Sequence, residues 1–169
     1  MKSKLRKLLK ENEFVFTAET SQPDSGNKDV VLEEVECLKG LADAINVTDG
    51  AGAKSHMSAL ATAAILAQNG IEPILQFTTR DRNRIAIQGD LLGGWALDIP
   101  NILCLYGDEV KGGDQPETKE VRDLDTIGIL KTAHDIKTKK MYPSGRKIND
   151  APEFFIGGAD TPFKINNDF

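Results

Sequence analysis

Three observations predict an α/β fold with a parallel sheet of the (β/α)8 barrel type, of which this chain covers roughly the first four to five β-α units. First, apolar, β-branched runs end at Glu19, Thr48, Thr78 and Tyr106, a pitch of roughly thirty residues that matches one β-α unit. Second, each run is followed by residues with helical spacing of apolar positions, so strands and helices alternate. That alternation implies parallel strands joined by right-handed crossovers. Third, small residues and carboxylates gather at the strand ends, as DGAG after Thr48 and Gly107-Asp108 after Tyr106. Strand C-termini are where a parallel barrel builds its active site.

The elements follow in order. Residues 3–12 form a short amphipathic helix with Leu5, Leu8 and Leu9 on one side. EFVFTAE, 13–19, is rich in aromatic and β-branched residues and predicts a strand. SQPDSGN punctuates a loop. Residues 29–42 carry Val31, Leu32, Val35, Leu38, Leu41 and Ala42 at helical spacing. A strand over 44–48 ends in the small-residue loop DGAGAKSH, and Ser55 or Ser58 caps a helix that stops near Asn69-Gly70. Strand 73–78 is followed by helix 83–97, whose Gly89, Gly93 and Gly94 lower its propensity and point to close helix-on-sheet packing. NILCLY, 101–106, is apolar enough for a strand buried on both faces. A polar loop over 109–124 breaks the rhythm. Asp125 caps a helix over 125–137, a loop-like stretch covers 139–152, and EFFIG, 153–157, reads as a fifth strand. A fifth parallel strand with no helix after it leaves two alternatives, an open sheet completed by a partner or a truncated barrel. Eight units would need about 250 residues, and truncation is the preferred reading.

The 169 residues suit a single domain, 1–169, read as an incomplete barrel. Hydrophobic content of 40% and charged content of 28% are those of a globular protein. A net charge of −5 argues against nucleic acid as the main partner. The basic cluster Lys2, Lys4, Arg6, Lys7 and Lys10 reads as a solvated helix face. Cys37 and Cys104 lie in apolar segments without metal-ligand spacing, and read as buried thiols of a reducing compartment. No apolar run approaches the roughly 18 residues of a membrane span, and the N-terminal charges precede no apolar stretch of a secretory signal. A cytoplasmic protein is expected.

Among candidate site residues, Glu19 ends an apolar strand. It is either a solvated terminus or a general acid, whose proton-donating role would draw on shielding by apolar neighbours. Thr48, Asp49 and the small residues after them form a tight turn, or let a flat or phosphorylated ligand approach the backbone. Gln76, Thr78 and Thr79 close the third strand. The charges of RDRNR after them either pair with one another in solvent, or a guanidinium or amide here meets an anionic or polar ligand edge. Gly107-Asp108 is the sharpest local signal: glycine permits an abrupt strand exit, and the carboxylate can stabilise positive charge in a substrate. His56 and His134 fall away from strand ends and are assigned no role, and Trp95 reads as packing.

Five segments together, FTAETSQP, NVTDGAG, FTTRDRN with IAIQGDLLG, NILCLYGD and FFIGGADTPF, resemble the methylenetetrahydrofolate reductase family, a flavin-containing TIM barrel. The resemblance covers about residues 14–163. It implies that Glu19 is the general acid that helps open the five-membered folate ring, and that Asp108 favours the resulting cation. It implies that Thr48, Gln76, Thr78, Gly107, Asp108, Gly157 and Thr161 line the FAD site. Gln76 stands where some members carry His, and Tyr106 where some carry Arg. The implied reaction passes a hydride from a reduced nicotinamide to FAD and then to methylenetetrahydrofolate, giving methyltetrahydrofolate. An alternative is a non-catalytic or partner-dependent subunit or fragment that needs another chain to complete the barrel, so a homo-oligomer or a partner subunit is expected. A third reading is a folate-handling methyltransferase barrel, which retention of both Glu19 and Gly107-Asp108 disfavours.

Overall fold

Five strands pair in chain order, β1-β2-β3-β4-β5, all parallel, in a computed structural model that describes residues 3–160. The strands are β1 (Thr17–Thr20), β2 (Ala44–Val47), β3 (Pro73–Thr78), β4 (Asn101–Leu105) and β5 (Phe155–Gly158). Between them run α2 (Lys28–Val35), α3 (Ala59–Gln68), α4 (Arg84–Ala96) and α5 (Thr126–Lys139), with α1 (Lys4–Lys10) ahead of β1. The order never reverses, which separates this sheet from doubly wound folds, where strand order switches direction at the ligand crevice. It is the progression of a partial (β/α) barrel.

Side-chain alternation assigns the two faces. Ile45, Val47, Leu75, Phe77, Ile102 and Cys104 share one buried cluster with Val31, Val35, Ala63, Leu66, Ile87, Leu91, Ile129 and Ile136 of the four crossover helices. Neighbouring positions on the same strands, Ala44, Ile74, Leu103 and Phe155, join a second, smaller cluster with Leu5 of α1. Period-2 alternation therefore sends one set outward to the helices and the other inward. Helix α1 packs beneath the inner face at the N-terminal strand ends. Its amides at Lys4 and Leu5 donate to the Glu72 carboxylate (2.8 and 2.9 Å), and Ser3 Oγ donates to Asn101 (2.5 Å).

Side-chain caps start all five helices, and of these the sequence reading named Asp125 and offered Ser55 or Ser58. Ser3, Asn27, Ser58, Asn83 and Asp125 each accept a backbone N–H of the first turn. Of the two serines offered for α3, Ser58 is the cap. Gly94 packs α4 against α3 and the sheet, where a Cβ would meet Leu60 Cδ1 of α3 at 3.5 Å and Leu75 Cδ2 of β3 at 3.8 Å, while Gly89 and Gly93 face open space. Trp95 packs edge-on against Phe154, with ring centroids 5.4 Å apart.

Three expectations need correction. The strand expected over 13–19 begins only at Thr17, because its ladder partner β2 begins at Ala44. Phe14 and Phe16 are instead exposed and pair with each other edge-on at 4.9 Å. The helix expected over 29–42 ends at Val35 and tightens into a 3-10 turn at Glu36–Leu38 before Gly40 at φ +79°. Cys37 sits on that turn and is exposed, so only Cys104 is the buried thiol, its pKa pushed up to about 12 by burial.

Of the basic cluster, Lys4 pairs with Asp43 (3.0 Å) and Lys7 with Glu11 (4.0 Å), both largely in solvent; Lys2 lies outside the described residues. No helix among the described residues is long and apolar enough to cross a membrane.

Candidate functional site

The C-terminal strand ends carry a chain of polar contacts that spans four of the five strands. On the inner face, Glu19 pairs in register with Asn46, and Gln76 lies two residues beyond Ile74, the next partner across the sheet. This brings Gln76 Nε2 within 2.9 Å of Glu19 Oε2, to which it donates. Gln76 is buried, whereas Glu19 is exposed. The apolar shielding expected around the Glu19 carboxyl is not supplied by the described residues. The strand-end position survives that correction, and an amide rather than a hydrocarbon wall orients the carboxylate.

At the end of β2, Thr48 Oγ1 donates to Gln22 Oε1 (2.9 Å), tying the loop after β1 to that after β2. Asp49, next along, is buried and receives both the backbone N–H and the hydroxyl of Thr78 (2.8 and 2.9 Å). Arg82 closes on the same carboxylate through Nη1 and Nη2 (2.6 and 3.0 Å) and reaches Asp90 through Nε (3.1 Å). Burial works against the Arg82 charge, but the hydrogen bonds and field of Asp49 outweigh it and hold the guanidinium pKa above its ordinary value. The expectation that RDRNR pairs within itself therefore holds only for Arg80 with Asp81. Arg82 and Arg84 leave the loop for Asp49 and Asp123. Sequence reading named Asp49 only as part of a turn and missed this role. The available signal was a carboxylate at one strand end opposite hydroxyls and a guanidinium at the next.

At the end of β4, Gly107 turns the chain at φ +86°, and an added Cβ would lie 3.0 Å from Thr78 Cβ. Both facts demand glycine: the left-handed conformation and the close approach to β3. The turn delivers Asp108, whose Oδ2 accepts the Gly52 N–H at 2.8 Å. Gly50 and Gly52 are themselves left-handed, at φ +62° and +65°. The DGAG and GD segments, 56 residues apart in sequence, thus meet through one hydrogen bond.

A family model described as methylenetetrahydrofolate reductase matches residues 4–150. The chain belongs to the methylenetetrahydrofolate reductase family. That family folds as a TIM barrel, and the five-stranded parallel sheet is the corresponding partial barrel. No curated protein matches the chain. Membership makes an oxidoreductase of folate one-carbon metabolism the functional class.

The remaining predicted site residues divide. Gly157 of β5 pairs with Leu103 of β4 and is half-buried, and a Cβ there would press on Leu103 Cδ1 at 3.2 Å. Thr78 is buried, with its hydroxyl donated to Asp49. Thr161 lies outside the described residues. Tyr106 is half exposed under the Arg122 guanidinium, 3.8 Å from its ring centroid. His56, assigned no role, contacts Asp24 through Nδ1 (2.5 Å), and His134 is exposed beside Asp135.

Proposed function

We propose that this site carries out flavin-dependent reduction of methylenetetrahydrofolate to methyltetrahydrofolate, in the cytoplasm and with a reduced nicotinamide as electron donor. The observation that carries the reading is the Glu19 carboxylate, held by the Gln76 amide on the open inner face at the C-terminal strand ends. The fit to FAD rests on a cradle of small residues. Gly52, where no atom lies within 4 Å of an added Cβ, presents open backbone beside Asp108 to which a flat or phosphorylated group can come close. Thr48, Gln76, Thr78, Gly107, Asp108 and Gly157 would hold the cofactor, with Thr161 beside them. The flavin, when bound, supplies hydride chemistry.

The residues of this chain supply the rest. Glu19 delivers a proton from a carboxyl oxygen to a ring nitrogen of the folate as the ring opens, and Gln76, donating to Oε2, keeps the carboxyl group oriented. Asp108 places a fixed negative charge where positive charge develops in the substrate, and its bond to Gly52 means little reorganisation is needed at that moment. The buried Asp49–Arg82 pair holds the ends of β2 and β3 in one geometry.

The test is Glu19→Gln. Flavin binding and flavin reduction are expected to survive, while folate reduction falls by roughly 10² to 10⁴ fold, the range of a lost general acid. Loss of FAD on that substitution would make Glu19 structural and sink the assignment.

A second reading is favoured by the sheet edges. No described strand pairs the outer edge of β1 or β5, and Leu103, Leu105 and Phe155 of the inner face are only half-buried. On this reading residues 1–169 are one incomplete barrel domain, and the reductase works when a second chain or further strands complete it.

A further inference from the structure

Arg122 lies in the loop after β4, with its backbone at φ +38°. A side-chain-bearing residue in the left-handed region is disfavoured and persists only where its surroundings over-determine it. Here they do. The guanidinium stacks on Tyr106 at 3.8 Å. Nη1 donates to the Tyr106 carbonyl at 2.9 Å, and Nη2 to the carbonyls of Gly107 (3.4 Å) and Asp108 (3.3 Å). Nε and Nη2 also donate to Glu120 (2.5 and 3.2 Å), which accepts the Val110 N–H at 3.0 Å. Arg80 meets the same segment with Nη1, at 3.1 Å from the Gly50 carbonyl and 3.5 Å from that of Asp108. The backbone ties the two arginines together, since Val121 N–H donates to the Arg80 carbonyl at 2.8 Å.

Three consecutive carbonyls of the β4 exit therefore converge on one planar fork, a geometry that lysine cannot reproduce. We propose that Arg122 is a positioning residue that fixes the Tyr106, Gly107 and Asp108 backbone so that the Asp108 carboxylate stays on the Gly52 amide. Arg122 acts through the main chain and not through the carboxylate itself. Its bearing on catalysis rests on the function proposed above; its bearing on geometry does not.

The Gly52 N–H is the reporter, because it bonds Asp108 without touching Arg122. In the whole chain, Arg122→Ala is expected to raise amide exchange at Gly52 about tenfold, approaching the Asp108→Ala value, with Leu75 and Phe77 of β3 unchanged. Arg122→Lys should recover only part of the protection. An unchanged Gly52, or Gly52 accelerating by the same factor as β3, overturns the proposal. With FAD bound, oxidation of the reduced flavin by methylenetetrahydrofolate should slow about tenfold in Arg122→Ala, while reduction by dithionite keeps its rate. An unchanged folate step overturns the catalytic half. If the unsubstituted chain neither binds FAD nor reduces folate, the proposed function fails and the Gly52 exchange still decides the role of Arg122.

Discussion

At the scale of single residues, two glycines and two carboxylates do most of the shaping. Gly107 combines a left-handed φ with a 3.0 Å approach to Thr78, so alanine there meets a conformational and a steric penalty together. Gly107→Ala is expected to destabilise the chain by about 1–3 kcal/mol, seen as a lower urea midpoint with an unchanged slope. An unchanged midpoint would mean that the turn relaxes freely and that Asp108 is not rigidly delivered. The two proposed catalytic carboxylates differ in support: one amide side chain orients Glu19, and a backbone N–H from a different loop orients Asp108. Their positions were legible because each ends or follows an apolar run. Their partners were not. Gln76 lies 57 residues from Glu19 and Gly52 lies 56 from Asp108, and no local pattern encodes such a contact. Asp49 and Arg82 were hidden for the opposite reason. The alternating signs of RDRNR offer a nearby partner to every charge, and burial of Asp49 chose a distant one.

At the scale of elements, the loop over 109–124 is held down by ion pairs that acid should release. Arg122, with the Val110 amide, lowers the Glu120 pKa from the ordinary 4.5 to about 2. Arg84 lowers that of Asp123 from 3.8 to about 2. Both carboxyls bind protons more weakly folded than unfolded, so their contribution is complete above pH 4.5 and 3.8 and is lost as pH falls towards about 2. Melting temperatures should drop through that window, and Glu120→Gln combined with Asp123→Asn should flatten the drop. An equally steep acid limb in the double variant would show that the loop is held by something else. Element boundaries were most legible where burial is uniform. The six residues of β3 are all buried and are bounded by Pro73 and a charged loop, and prediction and structure agree there to the residue. The first strand was overcalled because Phe14 and Phe16 have strand-like composition but no ladder partner.

At the scale of the whole molecule, one face of the sheet is dressed by four helices, and among the described residues the other is packed only near its base, by α1 and Val15. An inner face with half-buried Leu103, Leu105 and Phe155, flanked by edges that no described strand pairs, is a surface proteins rarely leave to water. The 169-residue chain is expected to self-associate with rising concentration in sedimentation velocity. A strictly monomeric species that still binds flavin would instead mean that the five-stranded unit is sufficient alone. Fold class was the most legible property at this scale, since strands and helices alternating at that pitch imply parallel strands, whereas the consecutive order, which doubly wound sheets of the same pitch lack, is seen in the structure.

That consecutive order also bears on how the molecule comes into being. Every strand pairs only with its chain neighbours, so a nascent chain leaving the ribosome can add each β-α unit to those already folded. The functional face cannot grow in the same stepwise way. Asp108 must emerge before the Gly52 amide finds its acceptor, and Arg122 must follow before the β4 exit is clamped. Synthesis thus passes through a stage in which three strands, the Glu19–Gln76 contact and the Asp49 tether to Thr78 are in place while Gly52 still lacks its acceptor, so a ligand arriving then would meet only half of the proposed site.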